Sequence, residues 1–542
     1  MSNKEIAKVF QFLGKIMELH GENPFKTRSY SSAYITIRKL PIPLELMEVD
    51  DINQIPGVGK AISEKIQELL STGTLQTLEK YTSITPEGIQ NLLRIKGLGP
   101  KKVKTVWDEL GIESPGELLY ACNENRLVAL KGFGEKTQTQ LRKQLEYYFA
   151  SAGKLHFATA EKLAIDLIES LEAVTNARFE VTGELKRLLP IINQIEFLSD
   201  TEQSDKELSD NVEDLLFDEE KEELFFRDCP IVIIRTDDEN WGMDMLESSS
   251  TSEFLDALGN YGPGEVEEEI FEALNFPFVP SEMREDGRVF EEDYMNKLND
   301  VVDRSTIKGV IHNHSTYSDG VNTISEMVQA CQLGGYDYLV MSDHSKSAFY
   351  ANGLSIERVE QQWAEIDELN KGLKNFHVFK SIESDILSDG SLDYPDDILD
   401  GFDLVIASIH SNLKMDIDKA TNRLIKAIEN PYTRILGHPT GRLLLSREGY
   451  PIDYKKVIDA CAENNVVIEL NANPSRLDID WTWIPYATEK GVKISINPDA
   501  HSTAGINDII YGVHVARKAM LYNEDCLNTL NVSEFKNWIK SK

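Results

Sequence analysis

Cysteine is scarce and scattered. The five cysteines, at 122, 229, 331, 461 and 526, form no Cys-x-x-Cys pair. This excludes a disulfide-stapled scaffold and a CxxC zinc site, and it is the usage of a reducing, cytoplasmic protein. Long apolar runs are absent: no stretch reaches the 18 or more residues that would suggest a membrane span. The N-terminal segment MSNKEIAKVFQFLGKIMELHG spreads acids and lysines along a helical period. It lacks the basic start and unbroken apolar core of a secretory signal. Excess positive charge is also missing. The 542 residues carry 56 Lys+Arg against 91 Asp+Glu, a net charge of −35, which at first argues against a nucleic-acid partner.

That deficit is local. Residues 1–150 hold 20 Lys+Arg against 18 Asp+Glu, residues 151–300 hold 12 against 39, and residues 301–542 hold 24 against 34. A phosphate backbone is repelled by the middle third and not by the first. A hydrophobic content of 41% supports real cores, and the length suits three or four domains.

The first third reads as short amphipathic helices joined by glycine turns. Three turns share one pattern: IPGVGK (55–60), IKGLGP (95–100) and LKGFGE (130–135). Each is apolar–x–Gly–apolar–Gly followed by a polar, helix-forming stretch. Glycine permits the tight turn, and the following helix presents free N–H groups suited to a phosphate. One such turn is as well explained by an ordinary helix connection. Three alike point to helix-hairpin-helix units that grip a DNA backbone, through Gly57, Gly59 and Lys60, Gly97, Gly99 and Lys101, and Gly132 and Gly134.

The middle third (151–290) mixes helix and strand. IVIIRT (231–236) is a strand. The acidic stretch 199–224 is expected as an exposed, poorly ordered loop, FVPSEMRED (278–286) has the look of a linker, and residues 291–305 are expected to link the middle domain to the last. ELKRLLPIINQIEF (184–197) ends with Gln194 and Glu196 on one face of a strand. Two acids at that spacing would clamp magnesium, whereas one acid and one amide fit either a lost site or a plain strand end.

In the last third (306–542), seven short Val/Ile-rich runs alternate with helical patterns: KGVIHNH, YDYLVMSDH, HVFKSIESD, FDLVIASIH, TRILGH, NVVIELNAN and VKISINPDAH. This is the pattern of parallel β/α units, whose strand C-termini converge on one rim. The rim collects His312, His314, Asp319, His344, Glu383, His410, His438, Asp499 and His501, including six of the chain's ten histidines. Any one histidine is commonly structural. Nine imidazoles and carboxylates at one rim suit zinc, manganese or iron(II), and the expectation is a centre of two to three ions, Mn2+ or Zn2+. Arg442 could steady a phosphate or make a rim salt bridge.

IHNHSTYSDG, SDHSKS, NGLSIERV, SDGSLDYPDDIL, GHPTGRLL, NANPSRLD and PDAHS, in order between residues 311 and 502, resemble the PHP (polymerase and histidinol phosphatase) domain of bacterial family X DNA polymerases. The three turns and GENPFKTRSYSSA (21–33) resemble that family's DNA-end-binding region, and FVPSEMRED the segment before its PHP domain. The resemblance implies an all-α helix-hairpin-helix domain, an α+β palm-like middle and a distorted (βα)7 barrel. It implies three metal sets: His312, His314, Glu383 and Asp499; Glu383, His410 and His438; and Asp319, His344 and His501. It further implies a 3′–5′ exonuclease acting on DNA ends, gaps or single-stranded 3′ termini. Lys26, Tyr30 and Lys65 fall where relatives hold a 5′-phosphate and a lyase lysine, although an exposed lysine is more often only a solvated charge.

The middle third departs from that family. The expected Gly-Ser-x-Arg-Arg reads Gly183-Glu184-Leu185-Lys186-Arg187, and Gly-Asp-x-Asp reads Asn193-Gln194-Ile195-Glu196. A third aspartate is missing from the IVIIRT strand. Polymerase activity and Mg2+ at the palm are therefore not expected. The alternatives are a small-molecule phosphomonoesterase of the histidinol-phosphatase type and a non-catalytic DNA-end-binding scaffold. A monomer is expected.

Overall fold

The computed structural model describes the chain except for Ser2, Lys39, Pro41, Lys96, Ala129, Ser151, Ala152 and Lys542. Lys96 of the second glycine turn, and the expected boundary at 150/151, lie outside the described residues. The chain folds as two compact units, Met1–Tyr148 and Phe149–Lys542.

The first unit is helical. Asn23 caps the helix Pro24–Ile37 by accepting from the Phe25 N–H at 2.9 Å, with Pro24 in the first turn. The three glycine turns are built alike. Gly57, Gly97 and Gly132 have φ of +82°, +85° and +90°, a region open to glycine and strained for other residues. The apolar residue between each pair of glycines (Val58, Leu98, Phe133) is buried. Its N–H donates to Ile55, Ile95 or Leu130 at 2.9, 3.3 and 3.0 Å. The helices Lys60–Thr72, Pro100–Leu110 and Glu135–Ala150 follow.

The second unit begins with a five-stranded sheet ordered Phe179–Thr182, Ile195–Ser199, Cys229–Arg235, Glu223–Phe226, Leu215–Asp218. Ile195–Ser199 and Cys229–Arg235 are parallel and the other pairs antiparallel. Residues 199–224 therefore differ from the expected loop. They hold the helix Asp205–Asn211, with a Ser204/Glu207 capping box, and a β-hairpin. Most of the acids point outward while Leu208, Val212, Leu215 and Leu224 are buried; charge density concealed the helical spacing of Leu208, Val212 and Leu215. Residues 278–286 are likewise not a linker. Val279 and Met283 are core, and Arg284 is fully buried against Glu267, with its Nε donating to Val279 O at 2.8 Å. All five cysteines are buried and free.

The seven C-terminal runs form seven parallel strands in sequence order: Gly309–Asn313, Tyr338–Met341, His377–Asp385, Leu404–Ser408, Thr433–Leu436, Val467–Asn471 and Ile494–Asn497. The parallel bridge Asn313–Ala500 links the last strand's end to the first, so the barrel is nearly closed. Ile311, Val340, Phe379, Ile406, Ile435 and Val467 pack on one face around Phe535 of the C-terminal helix Val532–Ile539. Side chains alternate along a strand, so Glu383 continues the face of Phe379, and Glu469 that of Val467. Apolar packing thus fills one end of the interior and polar groups the other. Among the described residues, no helix is long and apolar enough to cross a membrane.

Candidate metal centre

The nine rim residues are brought together. Glu383, fully buried, lies at the middle. Its Oε1 is 2.9 Å from His438 Nε2, 3.1 Å from His410 Nε2 and 3.3 Å from His312 Nε2, and its Oε2 is 2.9 Å from His344 Nδ1. Asp499 Oδ1 lies 3.0 Å from His314 Nε2 and 3.5 Å from His312 Nε2. Asp319 stands 3.3 Å from His501 Nε2 and 3.6 Å from His344 Nε2. Among the described residues, three sets place their ligand atoms within 4.8 Å of one another: His314, Asp319, His344 and His501; His312, His314 and Asp499; and His344, Glu383 and His410. Compared with the sets implied by resemblance, His314 also joins the Asp319 group, Glu383 is not in the His312, His314 and Asp499 group, and His344 stands with Glu383 and His410 where His438, 2.9 Å from Glu383, was implied.

The donors suit cations. His312 Nε2, both ring nitrogens of His344, and Glu383 Oε2 are buried and make no hydrogen bond, a costly state unless an ion occupies the space between them. The outer faces of several rings are held. His312 Nδ1 is 2.6 Å from Glu469 Oε2, His410 Nδ1 is 2.6 Å from Asp385 Oδ1, and His501 Nδ1 is 2.9 Å from Asp499 O. An N–H donated outward fixes the tautomer and leaves the inner nitrogen as a lone-pair donor. His312 and Asp499 have φ of +63° and +52°, strain that a non-glycine residue keeps where the site demands it.

Electrostatics agree. Burial, followed by the neighbouring His501 and His344, pushes the His314 pKa down to about 3, so this ring is neutral. Burial would lower His410 as well, but Glu383 and Asp385 overcome it and raise it to about 9. Burial disfavours the Glu383 carboxylate, yet His410, His312 and His344 hold its pKa well below the usual range. A divalent cation would take the place of the His410 proton.

Three residues of the site were missed in the sequence. Glu469 also accepts from the His438 N–H at 3.0 Å and from Asn497 Nδ2 at 2.7 Å. Asp385 lies two residues after Glu383, and Glu469 is an acid inside an apolar run; both signals were legible. Asp343, beside His344, accepts from the Ser315 and Ser318 N–H groups at 2.8 and 3.0 Å and from Gln362 Nε2 at 2.6 Å. It thereby anchors the loop that carries Asp319.

Arg442 is engaged at the rim through three of its five N–H groups. Its Nε donates to Arg476 O at 3.0 Å, its Nη1 to Asp480 at 2.7 Å and its Nη2 to Leu477 O. The rim salt bridge is what forms. In the first unit, Lys65 Nζ donates to Thr77 Oγ1 at 3.0 Å, and Lys26 pairs with Glu22 at 3.5 Å. Tyr30 is buried and stacked on Phe10 at 6.0 Å. Gly59 and Gly99 cap their helices without a side-chain hydrogen bond, and the space around Gly59, Gly99 and Gly134 is open.

In the five-stranded sheet, Glu196 lies beside Thr182 on one strand and Val232 on the other. Gln194 Nε2 donates to Glu196 Oε1 at 2.8 Å. Glu184 is held by the N–H and Nδ2 of Asn193 at 2.7 and 2.9 Å. Gly183, at φ +62°, leaves the space that the Glu196 carboxylate fills; a Cβ there would overlap it.

A helix-hairpin-helix region followed by a PHP-type barrel with a metal-ligand rim defines a nucleic-acid-binding, metal-using phosphoesterase class. Residues 1–75 match the helix-hairpin-helix domain family, and residues 89–146 the SAM-like helix-hairpin-helix tandem. Over 574 residues, and 100% of both chains, the sequence is 32% identical to the DNA polymerase/3′-5′ exonuclease PolX of Bacillus subtilis (strain 168). The C-terminal region is 30% identical over 245 residues to a probable phosphatase of Thermoanaerobacter sp. (strain X514), covering 43% of this chain and 94% of the relative. It is 27% identical over 248 residues to a probable phosphatase of Caldanaerobacter subterraneus subsp. tengcongensis, covering 43% and 90%. The chain belongs to the bacterial family X DNA polymerases that carry a PHP domain, and it is an enzyme of hydrolytic type.

Proposed function

We propose that this chain is a divalent-metal-dependent 3′–5′ exonuclease of DNA ends, and that its palm-like part does not extend primers. The carrying observation is nine ligand-type side chains on one rim, seven of them buried and Asp319 and His410 partly buried, alongside a palm-like strand with a single carboxylate. When bound, divalent ions supply Lewis-acid activation of water and neutralise phosphodiester charge. Asp319, Glu383 and Asp499 would give the negative charge that holds such ions, and His312, His314, His344, His410, His438 and His501 the neutral donors. Mn2+ or Zn2+ suits this mixed nitrogen and oxygen set. Glu469, Asp385 and Asp343 orient these groups. The three glycine turns, with Lys60 and Lys101 beside them, hold the DNA backbone through helix N-termini.

At the palm, Glu196 has Gln194 and Val232 for neighbours, and Glu184 stands where a hydroxyl would meet phosphate. One carboxylate is too little to hold two magnesium ions against a triphosphate. Labelled primer–template incubated with Mn2+, with and without dNTPs, tests both halves. Shortening from the 3′ end is expected; extension would overturn the inactive palm, and an unchanged primer would overturn the nuclease. The matches to probable phosphatases favour a second reading, hydrolysis of small phosphomonoesters. Turnover on p-nitrophenyl phosphate exceeding that on single-stranded DNA would favour it.

A further inference from the structure

The loop after His344 carries an aromatic side chain that the fold does not use. Phe349 is 88% exposed, although its loop is firmly built. Ala348 N–H donates to Ser345 O at 3.0 Å, Gly353 N–H to Ala348 O at 3.1 Å and Leu354 N–H to His344 O at 2.9 Å. Ser347 is held twice, by Asp393 on its N–H at 2.7 Å and by Asp385 on its hydroxyl at 2.6 Å. Ala348, Ala351 and Leu354 are fully buried. Gly353 is packed so closely that a Cβ would overlap Ser345 O. The outward position of Phe349 is therefore set by a rigid turn and not by a floppy one.

That turn is coupled to the metal-ligand cluster. Tyr350, the next residue, places its ring edge-on to His344 at 6.2 Å. Asp385, which grips Ser347, also holds His410 Nδ1. The same loop bears the exposed Lys346, whose ammonium sits 5.6 Å from the Tyr394 ring. A rigid aromatic face in water, with a lysine three residues before it and a phosphodiester-cleaving centre alongside, has the composition of a single-strand binding platform. Every base has a π-face to stack, and a lysine meets the backbone charge. A small phosphomonoester would use neither.

We propose that Phe349 stacks on a base at the 3′ end of single-stranded DNA entering the cluster, with Lys346 contacting the adjacent phosphate. This rests on the exonuclease reading above. The test uses the full chain and an oligonucleotide with 2-aminopurine at its 3′ terminus. Binding should quench the fluorophore in the wild-type protein. Phe349→Ala should lose the quench and raise KM for oligonucleotide shortening about fivefold or more, with kcat within twofold. Phe349→Trp should keep both near wild type. Turnover on bis-p-nitrophenyl phosphate and the melting temperature should be unchanged by Phe349→Ala. An undiminished quench with unchanged KM would overturn the inference, leaving the face to a protein partner. Equal losses on the small diester would also overturn it, as loop damage. Should the wild type quench but not shorten the strand, with the quench lost in Phe349→Ala, the stacking site stands and the exonuclease reading falls.

Discussion

Glu469 Oε2 lies 2.6 Å from His312 Nδ1, and both side chains are fully buried. The carboxylate reaches His312 from the sixth barrel strand and also takes the His438 N–H at 3.0 Å. It therefore fixes the direction of one imidazole and the backbone of another. Glu469→Gln keeps the shape but removes the charge. Metal affinity is expected to fall about 10–100-fold, read by titration with Mn2+ followed by metal analysis. An affinity within twofold of wild type would reduce Glu469 to a packing group.

Glu383 faces four histidines within 3.3 Å, whereas Glu196 has an amide and a valine. Glu383→Ala and His312→Ala should abolish Mn2+-dependent 3′ shortening, and Glu196→Ala should leave the rate within about twofold. Loss of shortening in Glu196→Ala would assign hydrolysis to the palm.

Lys518 is fully buried in the barrel helix Ile509–Lys518 and meets Glu285 at 2.6 Å, while Arg187 meets the same carboxylate at 3.3 Å. Glu285→Ala leaves a buried ammonium unpaired and is expected to cost about 3–5 kcal/mol. Glu285→Ala with Lys518→Met should recover most of it. Urea denaturation of the single and double variants checks this; an additive double variant would contradict it.

His514, packed against Phe157 at 5.4 Å, has its pKa lowered to about 4 by burial, with Glu282 opposing and Arg517 assisting. The unfolded ring titrates near 6.5, so between those values only the unfolded state takes the proton. Stability from this group is intact above about 6.5 and declines as pH falls towards 4, by about 1 kcal/mol at pH 5.5. His514→Phe should flatten the denaturation midpoint between pH 7 and 5 relative to wild type. An unchanged slope would place the acid sensitivity elsewhere.

The barrel was legible because apolar strand runs recur in alternation with helical patterns, and the rim side chains because imidazoles and carboxylates fall near the ends of those runs. Strand runs such as FDLVIASIH and TRILGH end in polar residues after an apolar stretch, and parallel topology brings those last residues together. The same reasoning failed at 199–224, where counting acids hid Leu208, Leu215 and Leu224, and at Arg284, whose burial depends on Glu267 seventeen residues earlier.

Local chemistry was written in the sequence: three glycine turns, seven apolar strand runs, nine imidazoles and carboxylates near the ends of those runs, and a strand with Glu196 as its one carboxylate. Tertiary structure decided the features that depend on residues distant in the chain. It placed Glu469 behind His312 157 positions away and drew His344 towards the Glu383 group. It engaged Arg442 with the 476–480 loop and turned Phe349 outward from a closed turn. A side chain's type is written in the sequence, but its partners are set by packing, and in this cluster packing decides which ring nitrogen faces inward and which is held by a carboxylate.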